Sequence, residues 1–300
     1  MIPDGWVKAP ISHFGHVSAG RQRSPGFTKG ALRPYLRVAN VFDGYIKISD
    51  INKMLFTDKE FERYKLEKGD ILLNEGQSTK LVGRPAMYEG VPQNCCFQNT
   101  LVRFKANELA DPHYALQRFR LCLYNRTFQI ISKKTTSIAH LGVSRFADLI
   151  LEWPPLPEQK KIAQILSTWD KAIETVEKLI ENSQQKKKAL MQQLLTGKKR
   201  FPGFDVEWKD VRLEKVAKII MGSSPSSKAY NDKGIGLPLI QGNADIKKRK
   251  SAPRIFTTEI TKECDVGDIL LSVRAPVGEV SISIHHACIG RGIAAIKSNE

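Results

Sequence analysis

The chain has 300 residues, 41% of them apolar, and carries 47 Lys and Arg against 31 Asp and Glu, a formal charge of +16. That is enough chain for two ordinary domains with their own cores, and no stretch approaches the roughly 18 consecutive apolar residues of a membrane span. So large a positive excess favours a polyanionic partner, of which nucleic acid is the commonest. The opening Met1-Ile2-Pro3-Asp4-Gly5-Trp6 lacks the basic start and apolar run of a secretory signal, which points to a cytoplasmic protein. Cys95, Cys96, Cys122, Cys264 and Cys288 are odd in number and fit no CxxC spacing, so they read as small buried residues and not as a disulfide or zinc framework. The charge excess sits at the two ends: residues 1–156 hold 22 basic and 14 acidic groups, residues 198–300 hold 18 and 12, and the segment between holds 7 and 5.

In chain order, Gly69-Asp70 followed by Ile71-Leu72-Leu73 predicts a short strand after a tight turn. Residues 113–132 predict a helix, with Tyr114, Leu116, Phe119, Leu121, Leu123, Phe128 and Ile131 as its apolar positions. Leu156-Pro157-Glu158 then opens a long helix, with proline at the first helical position and an acid in the first turn. Thr196-Gly197, followed by Lys198-Lys199-Arg200, closes it. Inside it a seven-residue repeat places Ile162, Trp169, Val176, Ser183 and Leu190 at one position and Leu166, Ile173, Ile180, Lys187 and Leu194 at another. Ile165, Ala172 and Leu179 widen the stripe, which requires a helical partner and turns polar from Ser183 to Lys188. About 40 residues at 1.5 Å each make a rod of roughly 60 Å. Beyond it, Asp268 to Val273 predicts a strand, and Glu279 to Ile284 alternates with period two, as a half-buried strand does.

The two flanks are diverged copies of one domain. Trp6 to Ile11 matches Trp208 to Leu213 at an offset of 202, and Tyr35 to Asn40 resembles Pro238 to Asn243 at 203. Gly69-Asp70-Ile71-Leu72-Leu73 recurs unchanged as Gly267-Asp268-Ile269-Leu270-Leu271 at 198, and Phe104 to Glu108 resembles Ile296 to Glu300 at 192. A period near 200 is too long for a solenoid and denotes a whole duplicated domain. The expected architecture is α+β: a first domain over 1–155, a coiled-coil spacer helix over 156–197, and a second domain over 198–300. The second copy stops at the counterpart of Glu108. The first runs on through 109–197, so a complete second copy would need roughly 90 more residues, and the chain is expected to be a trimmed or naturally short form. With no second helix to bury the stripe, self-association through 157–197 is expected.

These segments carry a resemblance. Pro155-Leu156-Pro157-Glu158-Gln159-Lys160-Lys161-Ile162 resembles the opening of the first conserved helix in specificity (S) subunits of Type I restriction–modification enzymes. Leu194 to Phe204 resembles the end of that helix, and Glu207-Trp208-Lys209 with Leu213 resembles the start of a second target-recognition domain. The likeness covers essentially the whole chain. It implies that each recognition domain reads one half of a split double-stranded DNA site and that the helical spacer sets the gap. It also implies two modification subunits that carry S-adenosylmethionine and methylate adenine, and a motor and nuclease subunit that joins for restriction. The chain itself would bind no cofactor and would be non-catalytic.

The residues agree with that division of labour. Trp153-Pro154-Pro155-Leu156 lacks the asparagine of an adenine methyltransferase motif, Gly234-Ile235-Gly236 is not a complete GxGxxG, and Gly15 to Gly20 is followed by Arg21-Gln22 and not by Lys and Ser or Thr. His13 with His16, and His285, His286 and Cys288, lack the further ligands of tetrahedral zinc. Asp70 and Asp268 read as turn residues.

DNA reading needs donors for base edges and cations for phosphates, with Arg suited to guanine and Asn or Gln to adenine. The first domain offers Arg21, Gln22 and Arg23, then Arg37 and Asn40, then Asn74, Gln77, Ser78, Thr79, Lys80 and Arg84, with Lys133, Lys134 and Thr135 as a phosphate clamp. The second offers Ser223 to Lys228, Gln241, Asn243, Lys247 and Arg274. Two other readings fit the composition: the specificity subunit of a Type IIB-like enzyme, and a coiled-coil adaptor or RNA-binding scaffold, which lacks RNP-type aromatic patterns.

Overall fold

A computed structural model describes residues 2–24, 26 and 28–299, so Glu300, the expected counterpart of Glu108, lies outside the described residues. The chain forms two compact units, Met1–Ala189 and Leu190–Glu300.

The first unit begins with strands β1 (Val7–Pro10), β2 (Gly15–Ala19), β3 (Ala31–Leu36) and β4 (Asn52–Phe56) and helix α1 (Asp58–Tyr64). Strands β5 (Ile71–Asn74), β6 (Gly76–Gln77), β7 (Pro85–Met87), β8 (Cys96–Phe97) and β9 (Leu101–Ala106) follow. Helices α2 (Pro112–Tyr124) and α3 (Thr127–Ile131) lead to β10 (Lys133–Lys134), β11 (Ala139–His140), α4 (Val143–Ala147) and β12 (Ile150–Trp153). Helix α5 (Leu156–Leu194) is the long helix, 39 residues.

The second unit takes in the end of α5 and continues with α6 (Leu213–Val216), β13 (Ala217–Met221), β14 (Tyr230–Asn231), β15 (Leu237–Ile240), β16 (Ile246–Lys247) and β17 (Lys250–Ser251). It ends with β18 (Ile255–Thr257), β19 (Glu263–Cys264), β20 (Ile269–Ser272), β21 (Val280–Ile282), β22 (Ala287–Ile289) and β23 (Ile293–Ser298).

The duplication is visible in strand order. Sheet β2-β9-β5-β7 of the first unit reappears as β13-β23-β20-β21 in the second, and β4-β3-β8 reappears as β18-β15-β22. The pairing directions also agree: β3 is antiparallel to β4 and parallel to β8, as β15 is to β18 and β22. Registers shift one sequence match. Tyr35 pairs with Cys96 as Leu239 pairs with Cys288, so the offset there is 204 and Arg37 corresponds to Gln241.

The repeated Gly-Asp is one turn built twice. Gly69 and Gly267 have φ of 96° and 95°. Asp70 accepts the Glu67 N–H at 2.9 Å, and Asp268 accepts that of Asp265 at 2.7 Å. An ion pair is duplicated with it: Lys105 to Glu67 at 2.6 Å, and Lys297 to Asp265. The Lys105 hydrogen bond and charge hold Glu67 below the usual carboxylate range, as Lys297 and then His286 do for Asp265. At Gly267 nothing lies within 4 Å of an added Cβ. Gly267→Ala should therefore cost only the left-handed backbone penalty, about 1–2 kcal/mol, measurable as a drop in the urea midpoint.

Two local expectations change. The helix expected over 113–132 breaks at Arg126, which takes φ 65°. The Asn125 side chain then accepts the Thr127 N–H at 3.1 Å and restarts the helix as α3. On β21 and the two residues after it the alternation faces the other way: Ser281 and Ser283 are buried, while Val280, Ile282 and Ile284 are exposed.

The first unit has two large cores, and a smaller cluster of Tyr35, Phe56 and Cys96 beside them. Leu36, Leu72, Phe97 and Leu101 fill the space between its sheets. Ile71, Phe104, Phe119, Phe128, Phe146 and Trp153 fill the space between sheet and helices. All five cysteines are free and buried, and burial pushes the Cys95 and Cys96 thiols up to about 12. Among the described residues no helix is long and apolar enough to cross a membrane.

Candidate nucleic-acid interface

The antiparallel order decides where the polar loops go. Ala19, at the end of β2, pairs with Val102 at the start of β9, and Val102 pairs with Leu73 near the end of β5. The segments after β2, before β9 and after β5 therefore meet at one end of the sheet. The segment after β3 joins them, because Gln98 donates to the Leu36 carbonyl at 2.9 Å. A three-stranded sheet, β10-β11-β6, adds the segment around Lys133: Lys134 pairs with Ala139, and Ala139 with Gln77. Candidates far apart in sequence, Gln22, Arg37, Gln77 and Lys133, thus share one end of one unit.

Within these loops the side chains divide by burial. Gln22, Arg23, Ser78, Lys80, Lys133, Lys134 and Thr135 are exposed, and Arg37, Gln77, Thr79 and Arg84 are half-buried. Arg21, Asn40 and Asn74 are buried. Arg21 donates to the Leu55 carbonyl, pairs with Glu60 at 2.7 Å and lies 4.8 Å over the Phe56 ring. Burial pushes the Glu60 carboxyl up, but hydrogen bonds from Thr57 and the Arg21 charge hold it below its usual range. Asn40 accepts the Arg37 N–H at 3.1 Å and donates to the carbonyls of Lys47 and Asp50 at 3.1 and 2.7 Å. Asn74 reaches the Val41 carbonyl at 3.4 Å. Arg84 donates to the same carbonyl at 2.9 Å and stacks 4.6 Å over Phe42, and its burial lowers its pKa. Arg37 pairs with Asp50 at 2.6 Å. These side chains shape the loops from within.

The second unit repeats the arrangement. Met221 pairs with Ala294, Ser272 pairs with Ile293, and Gly290 donates to the Ile240 carbonyl at 2.9 Å. A cleft of about 440 Å³ opens there, with Ser224, Tyr230, Gln241, Asn243, Arg274 and Arg291 among its lining residues. Gln241 donates to the Tyr230 hydroxyl at 2.7 Å, and that hydroxyl donates to the Pro225 carbonyl at 3.0 Å. Asp245 accepts the Gln241 N–H at 2.9 Å and holds Arg254 at 2.9 Å, the service Asn40 performs in the first unit. Asn243 was the sequence match to Asn40; the structure gives that part to Asp245, one residue further along than the strand register alone would put it. Lys247 lies elsewhere, on the β16–β17 hairpin at the sheet edge.

Sequence reasoning missed Tyr230, Arg291 and the Asn99-Thr100 pair before β9. Gly290-Arg291-Gly292 was the available signal, a cation between two glycines. Among the described residues no three His, Cys, Asp or Glu side chains are placed so that they could hold a metal ion. His286 sits between Asp265 at 2.6 Å and Glu263 at 3.0 Å, and His285 contacts Ser251 at 2.7 Å.

Residues 3–182 match the family model of the Type I restriction modification DNA specificity domain. The chain belongs to that family. The putative type I restriction enzyme MjaX specificity subunit of Methanocaldococcus jannaschii is 36% identical over 283 residues, 89% of this chain and 66% of that protein. The EcoKI specificity subunit of Escherichia coli K12 is 22% identical over 255 residues, 80% of this chain and 54% of that one. This specificity-family chain thus spans between about half and two thirds of the length of those curated relatives. A chain from a structure concerned with assembly and conformational transition of the type I R-M system superposes with a TM-score of 0.67 at 25% identity, covering all of this chain and 77% of that one. The HsdS subunit of Thermoanaerobacter tengcongensis superposes at 0.52 and 26% identity, covering 76% of its own length. The mixed α+β architecture with a long helix between β-rich regions is therefore that of specificity subunits.

The Pro-Glu-Gln at the start of α5 ties the helix to the first unit through its glutamine. Gln159 is 1% exposed. Its amide donates to the carbonyls of Leu109 and Pro154 at 3.0 and 2.9 Å and accepts the Asp111 N–H at 2.9 Å. Three turns on, Asp170 takes Arg120 at 3.0 Å and Gln117 at 2.6 Å. Burial opposes the Arg120 charge, but Asp170 and Asp43 together hold its pKa above the usual value. Beyond Asp170 the stripe lies open: Ile173, Val176, Leu179 and Ile180 are all more than half exposed.

Proposed function

We propose that this chain reads a split DNA site, one half with each unit, and delivers two adenine-methylating modification subunits and a restriction subunit to it. One observation carries the reading: in both units the same end of a like-ordered sheet gathers the polar and basic loops. The spans 1–155, 156–197 and 198–300 then act as first reader, spacer and second reader. Base contacts come from side chains that leave the loops: Gln22, Arg23, Gln77, Ser78, Thr79 and Lys80 in the first unit, and Gln241, Asn243, Arg274 and Arg291 in the second. Arg21, Asn40 and Asn74 brace those loops. Gln241 is pre-oriented by Tyr230, which leaves its amide oxygen to accept from a base. Lys133, Lys134 and Thr135 hold phosphate. S-adenosylmethionine belongs to the modification subunits in this scheme. A rod of roughly 60 Å exceeds one turn of duplex, about 34–36 Å, which fits half-sites separated by an unread gap. The open stripe of α5 supports pairing with a second copy through 157–197.

Methylation mapping tests the reading. The chain is co-expressed with its modification subunit in a methylation-free host and modified adenines are sequenced. An asymmetric split motif is expected if both units read, and a palindromic one if a dimer uses the first unit twice. Assembled subunits that leave no methylated motif would refute it. Lys134→Ala should weaken DNA binding alike for all sequences and reduce the slope of log K against log salt by about 1, measured by anisotropy across a salt series.

A further inference from the structure

The turn that leads into β9 in the first unit and into β23 in the second is built alike. Gln98 donates to the Leu36 carbonyl and accepts the Leu101 N–H, both at 2.9 Å. Gly290 donates to the Ile240 carbonyl at 2.9 Å and accepts the Ile293 N–H at 3.0 Å. Asn99 and Arg291 therefore occupy the same place, one residue into the turn. The strand registers put Arg37 and Gln241 at a second shared place. At both places each unit carries a residue type that pairs with base edges, and at both the type differs between the units. A phosphate clamp common to the two copies would keep its charge, and Asn99 has none.

Arg291 is held by its backbone and not by its side chain. Its N–H donates to Ser224 Oγ at 3.1 Å. A Cβ on Gly292 would lie 2.3 Å from the Gln241 carbonyl oxygen, and one on Gly222 would lie 2.2 Å from that of Gly290. The turn is thus pressed onto the strand end that carries Gln241, and between its glycines only Arg291 projects a side chain. Among the described residues its guanidinium has no ion pair and no hydrogen bond, and the residue is exposed. The exposure belongs to the place: Asn99 is exposed too, in a unit whose loop end carries the β10–β11 hairpin.

Gln241 is fixed from the other side. The Tyr230 hydroxyl gives its proton to the Pro225 carbonyl, so toward Gln241 it can only accept. The amide keeps one N–H and its oxygen, the donor and acceptor that adenine N7 and N6 require. Gln241 and Arg291 line one cleft, and no acidic residue is among its described lining.

Resting on the reading of this chain as a split-site DNA reader, we propose that Gln241 specifies an adenine and Arg291 a guanine in the half-site of the second unit. The Gln241 oxygen accepts from adenine N6 and its remaining N–H donates to N7. Two N–H groups of Arg291 donate to guanine O6 and N7. Both readers are held before DNA arrives, one by a tyrosine and one by a glycine-flanked turn, so little ordering is left to binding.

The test uses the chain assembled with its modification subunit. Methylation mapping gives the site, and anisotropy of labelled duplexes at fixed salt gives binding. Replacing each guanine in turn by 7-deazaguanine removes the N7 acceptor alone. One such duplex should bind the wild-type complex about tenfold more weakly, and Arg291→Ala should not distinguish it from the unmodified duplex. 7-Deazaadenine and Gln241→Ala should behave as the matching pair. The map of Arg291→Gln should show adenine in place of that guanine, with the other half of the motif unchanged. A split motif in which no guanine shows the loss overturns the proposal and leaves split-site reading in place. A loss that persists in Arg291→Ala also overturns it, since another residue then reads that base. So does Arg291→Ala weakening every duplex alike with no guanine singled out, which gives Arg291 to phosphate. A wild-type complex that assembles and yields no split motif overturns both.

Discussion

Gln159→Leu should lower the stability of the first unit by roughly 3–4 kcal/mol, the sum of small penalties at three buried backbone groups left without partners. The side chain is nearly isosteric, so packing is preserved while the Asp111 N–H and the Leu109 and Pro154 carbonyls lose their hydrogen bonds. The effect spreads because Asp111 also caps α2, accepting the Tyr114 N–H at 2.9 Å. Loosening Gln159 thus loosens both the start of α5 and the helix that covers the sheet. Gln159→Glu should be no milder at neutral pH, since a carboxylate has no donor for the two carbonyls. Urea unfolding followed by tryptophan fluorescence reads this, because Trp153 is fully buried and stacks on Phe14 at 4.3 Å. An unchanged midpoint would mean that the helix start is held by its apolar contacts alone.

Ile173→Lys or Ile180→Lys should abolish self-association of the chain at micromolar concentration. The two residues are 57% and 53% exposed and occupy the same heptad position, one heptad apart on the stripe. In a two-fold symmetric pair each substitution acts twice. Losing about 2 kcal/mol of burial on each helix gives about 4 kcal/mol, a dissociation constant higher by roughly a thousandfold. Sedimentation velocity over a concentration series measures it. Lys187→Ala, in the polar stretch, should change little. A wild-type chain that remains monomeric at high micromolar concentration would remove the basis of the prediction.

Much of the architecture was legible from local chemistry. The boundaries of α5 follow from Pro157 and Gly197, and its stripe from a period of seven. The repeat was legible because the Gly-Asp turn needs a left-handed residue and a short acceptor in both copies, so those residues stay while their neighbours change. What was not legible is which polar loop residues point outward. Arg21 and Gln22 are adjacent, yet one is locked between Glu60 and Phe56 and the other is exposed; only α1, forty residues on, decides that. Arg291 was passed over because a lone arginine gains meaning only when strand order sets it beside Gln241 and Arg274.

The sequence by itself determined the duplication, the long helix, the turns and the charge, since each depends on backbone preference, on periodicity or on a count. The tertiary structure decided the rest. It broke the expected helix at Arg126 and gathered loops from five parts of the first unit at one sheet end. It also turned the apolar side of β21 outward. The reason is that period two states that a strand has two unlike faces but not which layer covers each. That choice belongs to elements distant in the chain: α2 is present over Ile71 and Phe104, and no described element lies over Ile269 and Ile296.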